Sequence, residues 1–122
     1  MKKLLAIITL ATLSLGAEIT KADGHSGNVV LINTFTVPVT AVDEAIEMWE
    51  MARDFLKDQP GYVSIKLHKA LAPDAKYLLI NVAEWESAET FKTATGLMQK
   101  EAGLPRIDGV VLGPGLYKVI RE

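Results

Sequence analysis

The segment from Gln59 to Trp85 constrains the fold more than any other part of the chain. It reads Gln-Pro-Gly, then Tyr62-Val-Ser-Ile-Lys-Leu-His68, a Pro73-Asp74 turn, and Tyr77-Leu-Leu-Ile-Asn-Val-Ala-Glu-Trp85. Two strand-like runs separated by residues 70–75 predict a β-hairpin with a medium loop. In the first run a period of two places Val63, Ile65 and Leu67 on one face and Tyr62, Ser64, Lys66 and His68 on the other. The second run is apolar at nearly every position, as a central strand covered on both faces would be.

The flanking segments follow the same logic. Val29 to Thr36 is a strand candidate that is apolar on both faces except at Asn33, and Pro38 ends it. Thr40 occupies the position of a helix N-cap, with Asp43 and Glu44 in the first turn. Val42, Ala45, Ile46, Trp49, Ala52, Arg53 and Leu56 then follow helical spacing, which predicts an amphipathic helix ending before Pro60-Gly61. Ser87 is a second N-cap candidate; Ala88, Phe91, Ala94 or Thr95, and Met98 form the stripe of a second helix, ended by Gly103-Leu-Pro105. Residues 103–115 read as loop, and Leu116 to Ile120 as a last short strand. The order β-α-β-β-α-β predicts an α+β, ferredoxin-like domain: a four-stranded antiparallel sheet with both helices on one face. The helices cover one face only, so the other needs a cover. A second copy packed sheet to sheet is the expected solution, a dimeric α+β barrel. The alternative is that the C-terminal loop and the lead-in fold over it.

Met1-Lys2-Lys3 followed by an apolar run from Leu4 to Leu15 has the layout of a secretory signal peptide, and the run is too short to span a bilayer. Cleavage after Gly16 or after Ala22 fits; a buried N-terminal helix is the alternative. The chain is accordingly divided into a leader over residues 1–22, a flexible lead-in over 23–28 and one domain over 29–122. The expectation is export, periplasmic or secreted, with no stable membrane anchor afterwards. Removing residues 1–22 takes away Lys2, Lys3, Lys21 and Glu18 and moves the formal net charge from −2 to −4. A mildly acidic chain with no Lys/Arg cluster argues against a nucleic-acid partner. With no cysteine there is no disulfide framework and no thiol chemistry. No cluster of His, Asp and Glu has metal-ligand spacing, so no metal site is expected, and no glycine-rich loop cradles a phosphate.

The stretches Val30 to Pro38, the helix bearing Trp49, Gln59 to His68, and Asn81 to Phe91 resemble the antibiotic biosynthesis monooxygenase domain of the dimeric α+β barrel superfamily, over about residues 29–121. The resemblance implies a homodimer around a small-molecule site. Members of that family include cofactor-independent monooxygenases that oxidise polyphenols to quinones, haem-degrading enzymes and signal-processing isomerases. Its oxygenases use an asparagine on the first strand and a tryptophan at the end of the third, positions held here by Asn33 and Trp85. Asn33 is read either as the amide that holds a substrate oxygen or as one bonded to neighbouring backbone. Trp85 is read either as an apolar pocket wall or as a core residue under the second helix. His68 is a candidate proton-transfer group or an exposed or interface histidine. Tyr62, Asn81, Trp49 and Phe91 are candidate substrate contacts. His25 lies in the lead-in and has no expected role. Haem-degrading relatives hold iron through a histidine of the second helix, and residues 88–101 contain none.

The expected function is cofactor-independent oxidation of a small aromatic or quinol-like compound. The alternatives are a non-catalytic dimer that binds haem or a quinone, and a stress or interaction scaffold. The choice among them rests on the resemblance, because fold alone does not decide function.

Overall fold

Alternation along the strands decides which face of the sheet is buried. In the strand Leu79–Trp85, Leu79, Asn81, Ala83 and Trp85 are buried, while Ile80, Val82 and Glu84 are only partly covered. A computed structural model describes residues 27–122, in the order β1 (Val29–Thr36), a 3-10 turn (Val39–Ala41), α1 (Val42–Leu56), β2 (Tyr62–Lys69), β3 (Leu79–Trp85), α2 (Ala88–Glu101) and β4 (Val111–Tyr117). The four strands form one sheet in the order β2-β3-β1-β4, antiparallel at every pairing. This is the ferredoxin-like α+β plan expected from the sequence. The leader over residues 1–22, most of the lead-in and His25 lie outside the described residues. Among the described residues no helix is long and apolar enough to cross a membrane.

Register carries the buried face across the sheet. Leu31 stands opposite Ala83 and Leu116, and Phe35 opposite Leu79 and Leu112. The helices close over this face and form two adjoining clusters. One gathers Phe35, Val37, Ala41, Val42, Ala45 and Leu79. The other gathers Leu31, Leu56, Ala83, Trp85 and Ala94. Trp85 is 1% exposed, and the rings of Tyr62 and Phe91 meet it edge-on at centroid distances of 5.8 and 5.9 Å. That geometry is a favoured one for aromatic pairs.

Three local features differ from the sequence reading. The β2–β3 ladder is irregular between Tyr62 and Ser64: Tyr62 pairs with Trp85 and Ser64 with Glu84, so Val63 is an extra residue. Such a bulge resets the alternation. Tyr62 therefore joins Ile65 and Leu67 on the helix side, and Val63 is left 42% exposed. The last strand is Val111–Tyr117, not Leu116 to Ile120. Gly113-Pro114-Gly115 carries turn chemistry but lies in an edge strand, where proline is tolerated. A β-carbon at 113 would stand 2.6 Å from the Thr34 hydroxyl, and one at 115 would stand 2.9 Å from the outer edge of the exposed Tyr117 ring, so the approach is strictest at 113. Finally, Thr40 caps nothing: it sits inside the 3-10 turn, and α1 begins at Val42 with no side-chain cap. Helix α2 is capped as expected. Ser87 accepts from the Thr90 backbone N–H at 3.1 Å, and the Thr90 hydroxyl accepts from the Ser87 N–H at 3.3 Å.

The Gln59-Pro60-Gly61 turn also has a physical explanation. Gly61 has φ +89°, a region that side chains disfavour, and a β-carbon there would collide with the Thr90 side chain. Its carbonyl accepts from the Glu86 N–H at 2.8 Å, which ties the end of α1 to the start of α2. Gly61→Ala is expected to lower unfolding stability by about 1–3 kcal/mol, measured by urea titration.

Candidate functional site

The helices do not fill the space above the sheet. A cavity of about 430 Å³ remains between them, within the size range of small-molecule sites. Its floor is Leu31, Asn33 and Phe35 of β1, Asn81 of β3, Ile65 of β2, and Leu112, Pro114 and Leu116 of β4. Met48, Trp49, Ala52 and Leu56 of α1 form one wall. Phe91, Thr95, Met98 and Gln99 of α2, with Leu104 beyond it, form the other.

The polar content of this cavity is small and specific. Asn33 and Asn81 are direct partners in the β1–β3 ladder, and their row runs Leu67, Asn81, Asn33, Pro114 across the sheet. The flanking leucine and proline offer no side-chain hydrogen bond to either amide. Trp49 solves the problem for Asn81: its Nε1–H donates to Asn81 Oδ1 at 3.0 Å. Nothing solves it for Asn33, whose Oδ1 is the one buried side-chain polar atom without a partner among the described residues. A buried acceptor left this way costs about 1–3 kcal/mol. The Thr95 hydroxyl is turned to its own helix, donating to the Phe91 carbonyl at 2.9 Å.

No lining residue is ionisable. On α1 the Arg53 guanidinium lies 5.2 Å from the centroid of the Trp49 ring, a cation–π contact. Arg53 Nε also donates to Asp54 Oδ1 at 3.0 Å, and that hydrogen bond holds the exposed Asp54 carboxyl below the usual carboxylate range.

Of the residues singled out in the sequence, the structure brings Asn33, Asn81, Trp49 and Phe91 together around the cavity. It places the other three elsewhere. Trp85 does not line the cavity; the parity of β3 turns it into the core, where Tyr62 packs on its ring. His68 is exposed on the opposite parity of β2, with Nδ1 at 3.3 Å from the Ile80 carbonyl. Sequence reasoning missed Met48, Thr95, Met98 and Gln99 as lining residues. It also missed Leu112 and Pro114, because it assigned them to a loop. Among the described residues no group of three or more His, Asp or Glu side chains could hold a metal ion.

A four-stranded sheet roofed by two helices, with an apolar cavity floored by opposed amides, defines a class of small α+β domains. The chain matches the antibiotic biosynthesis monooxygenase family model over residues 28–98, and it belongs to that family. It is similar to the crystal structure of a candidate monooxygenase from Shewanella loihica PV-4, with 44% identity, coverage of 79% of this chain and 97% of that one, and a TM-score of 0.72. It also resembles SnoaB, a cofactor-independent oxygenase from Streptomyces nogalater, with 21% identity, 79% and 96% coverage and a TM-score of 0.60. A third likeness is to the haem degrader MhuD from Mycobacterium tuberculosis, solved with two haems in its active site, at 21% identity, 77% and 97% coverage and a TM-score of 0.60. The last two likenesses are of fold. No curated protein matches the chain.

Proteins hold haem iron through His, Cys, Met or Tyr. The cavity here is lined by Met48 and Met98 and has no histidine, cysteine or tyrosine, and α2 carries no histidine. The donor set does not fit a haem held through a histidine of that helix.

Site and core residues separate by their effect on stability. Asn33→Leu removes an unpaired acceptor and is expected to leave stability unchanged or raise it by up to about 1 kcal/mol, whereas Trp85→Ala should lose about 3–5 kcal/mol. Urea midpoints of the two variants measure the contrast.

Proposed function

We propose that the protein is a cofactor-independent monooxygenase that oxidises a small aromatic, quinol-like compound in the cavity between helices and sheet. The observation that carries this reading is the Asn33 amide on the cavity floor, whose buried Oδ1 has no partner. A ligand hydroxyl reaching it would offset its desolvation, and a polar group of this kind fixes orientation in an otherwise apolar site. Membership of the monooxygenase family and the 44% identity to the Shewanella protein support the reaction class.

The chemistry can balance without another reductant. The substrate anion passes an electron to dioxygen, the two radicals combine, and loss of water leaves a carbonyl. One oxygen atom enters the substrate and the other leaves as water, with all the electrons drawn from the ring. The cavity's contribution is to hold the substrate oxygen and exclude bulk water from the anion. His68 is too far round the sheet to take the proton, and no lining side chain titrates. The substrate's own hydroxyl therefore sets the ionisation. A second reading, a binding dimer without turnover, draws on that same lack of an acid or base in the lining.

The same proposal includes a second copy. On the face of the sheet away from the helices, Val30, Ile32, Ile80 and Val82 are only partly buried. Residues 111–115, part of the loop that was the alternative cover, lie instead in the edge strand. Export by removal of residues 1–22 completes it, and sequencing the N-terminus of the mature protein tests that part.

Oxygen uptake with a panel of quinols tests the activity. Wild-type protein should consume oxygen, and Asn33→Leu should lower kcat/KM by about 10²-fold with folding intact. Absence of uptake across the panel, with tight binding of a panel member, would favour the binding reading. The pH profile should follow the substrate: for two quinols of different acidity, the rise in log kcat/KM should be displaced by the difference in their own pKa values. Sedimentation at micromolar concentration should give a dimer, and a well-folded single subunit would remove the second copy from the proposal.

A further inference from the structure

An asparagine amide offers two ends of nearly the same shape and opposite chemistry: a carbonyl that accepts and an NH₂ that donates. Strand register does not decide which end a ligand meets; a neighbouring group must. For Asn81 that group is Trp49. An indole N–H only donates, and it lies 3.0 Å from Asn81 Oδ1. The reversed amide would set an NH₂ against an N–H, with no bond to offset the desolvation of either. Trp49 is itself held by α1 and covered by the Arg53 guanidinium. The Asn81 NH₂ has no hydrogen-bond partner among the described residues. Directly opposite in the ladder, Asn33 has a buried, unpaired carbonyl oxygen. Opposed residues of this kind have Cβ atoms roughly 4.5–5.5 Å apart, within reach of neighbouring atoms of one ring system.

We infer that Trp49 is a positioning residue: its indole N–H fixes the Asn81 amide so that Asn81 presents its NH₂, a donor, beside the Asn33 amide, which no neighbour orients. This deepens the proposed function and rests on it for the class of ligand. The arrangement is selective because a ligand carbonyl only accepts, so it is satisfied by the Asn81 NH₂ as Trp49 holds it. A hydroxyl donates and accepts and fits either place. The indole N–H thereby sets how well the site tells a carbonyl from a hydroxyl. Without it the Asn81 amide can turn over, and a ligand carbonyl must then hold the NH₂ in place itself, whereas a hydroxyl binds either end.

The test is equilibrium dialysis under nitrogen with two probes of similar shape, 5-hydroxy-1,4-naphthoquinone and 1,5-dihydroxynaphthalene; the chain has no cysteine for the quinone to alkylate. Trp49→Phe keeps an aromatic ring and removes the donor. It should weaken the quinone on the order of tenfold relative to the dihydroxynaphthalene. A merely structural role would weaken both probes by the same factor, and an unchanged ratio overturns the inference while leaving the cavity as a binding site. Binding of neither probe by the wild-type protein overturns the inference together with the proposed function. If circular dichroism shows that Trp49→Phe is unfolded, benzothienylalanine at position 49, which replaces the N–H by sulfur in a ring of the same shape, takes its place with the same ratio expected.

Discussion

Everything in the site depends on the register of β1. This strand is paired on both sides, with β3 and with β4, and its buried residues Leu31 and Phe35 bracket Asn33. A slip of one residue would turn all three to the opposite face. Burying a leucine or phenylalanine side chain contributes about 1.5–3 kcal/mol. One unpaired amide oxygen costs about 1–3 kcal/mol. Two anchors therefore outweigh one orphaned acceptor, and the strand can hold a polar atom in an apolar cavity without losing its place.

The fold was legible in the sequence because the signals that set it are local and periodic. The continuous apolar run of β3, the stripe of α1 and the Ser87 cap each predicted their element. What was not legible depended on contacts between distant segments. The extra residue at Val63 reversed the expected facing of Tyr62, and nothing within the run Tyr62 to His68 announces it. Gly113-Pro114-Gly115 carries loop chemistry, and only its place beside Thr34 and at the sheet edge makes it strand. The site was legible in the same proportion. The asparagines stand out as amides in apolar runs, and period two puts both on the buried face. Trp85 and Trp49 stand out equally as large aromatics, but which of them meets the cavity follows from where β3 ends and how α1 is rotated. Those are properties of the packed domain.

The chemistry of the cavity is that of amides and an indole N–H, with no acid or base. Such groups keep one charge state over the whole working range of pH, so the site can orient a ligand without itself titrating. That separates this arrangement from sites that work by shifting the pKa of a carboxylate or histidine. In the proposed reading, selectivity comes from the direction of the hydrogen bond at Asn81, the amide that Trp49 holds one way round.

The Gly61–Glu86 hydrogen bond, with Thr90 packed against Gly61, stitches the far end of α1 to the near end of α2. At the exit of α2, Gln99 and Leu104 border the cavity, and Gly103 at φ +61° lets the chain turn sharply away. The course of α2 along the cavity is therefore set by a glycine at each end, the one at its entry lying some forty residues earlier in the chain.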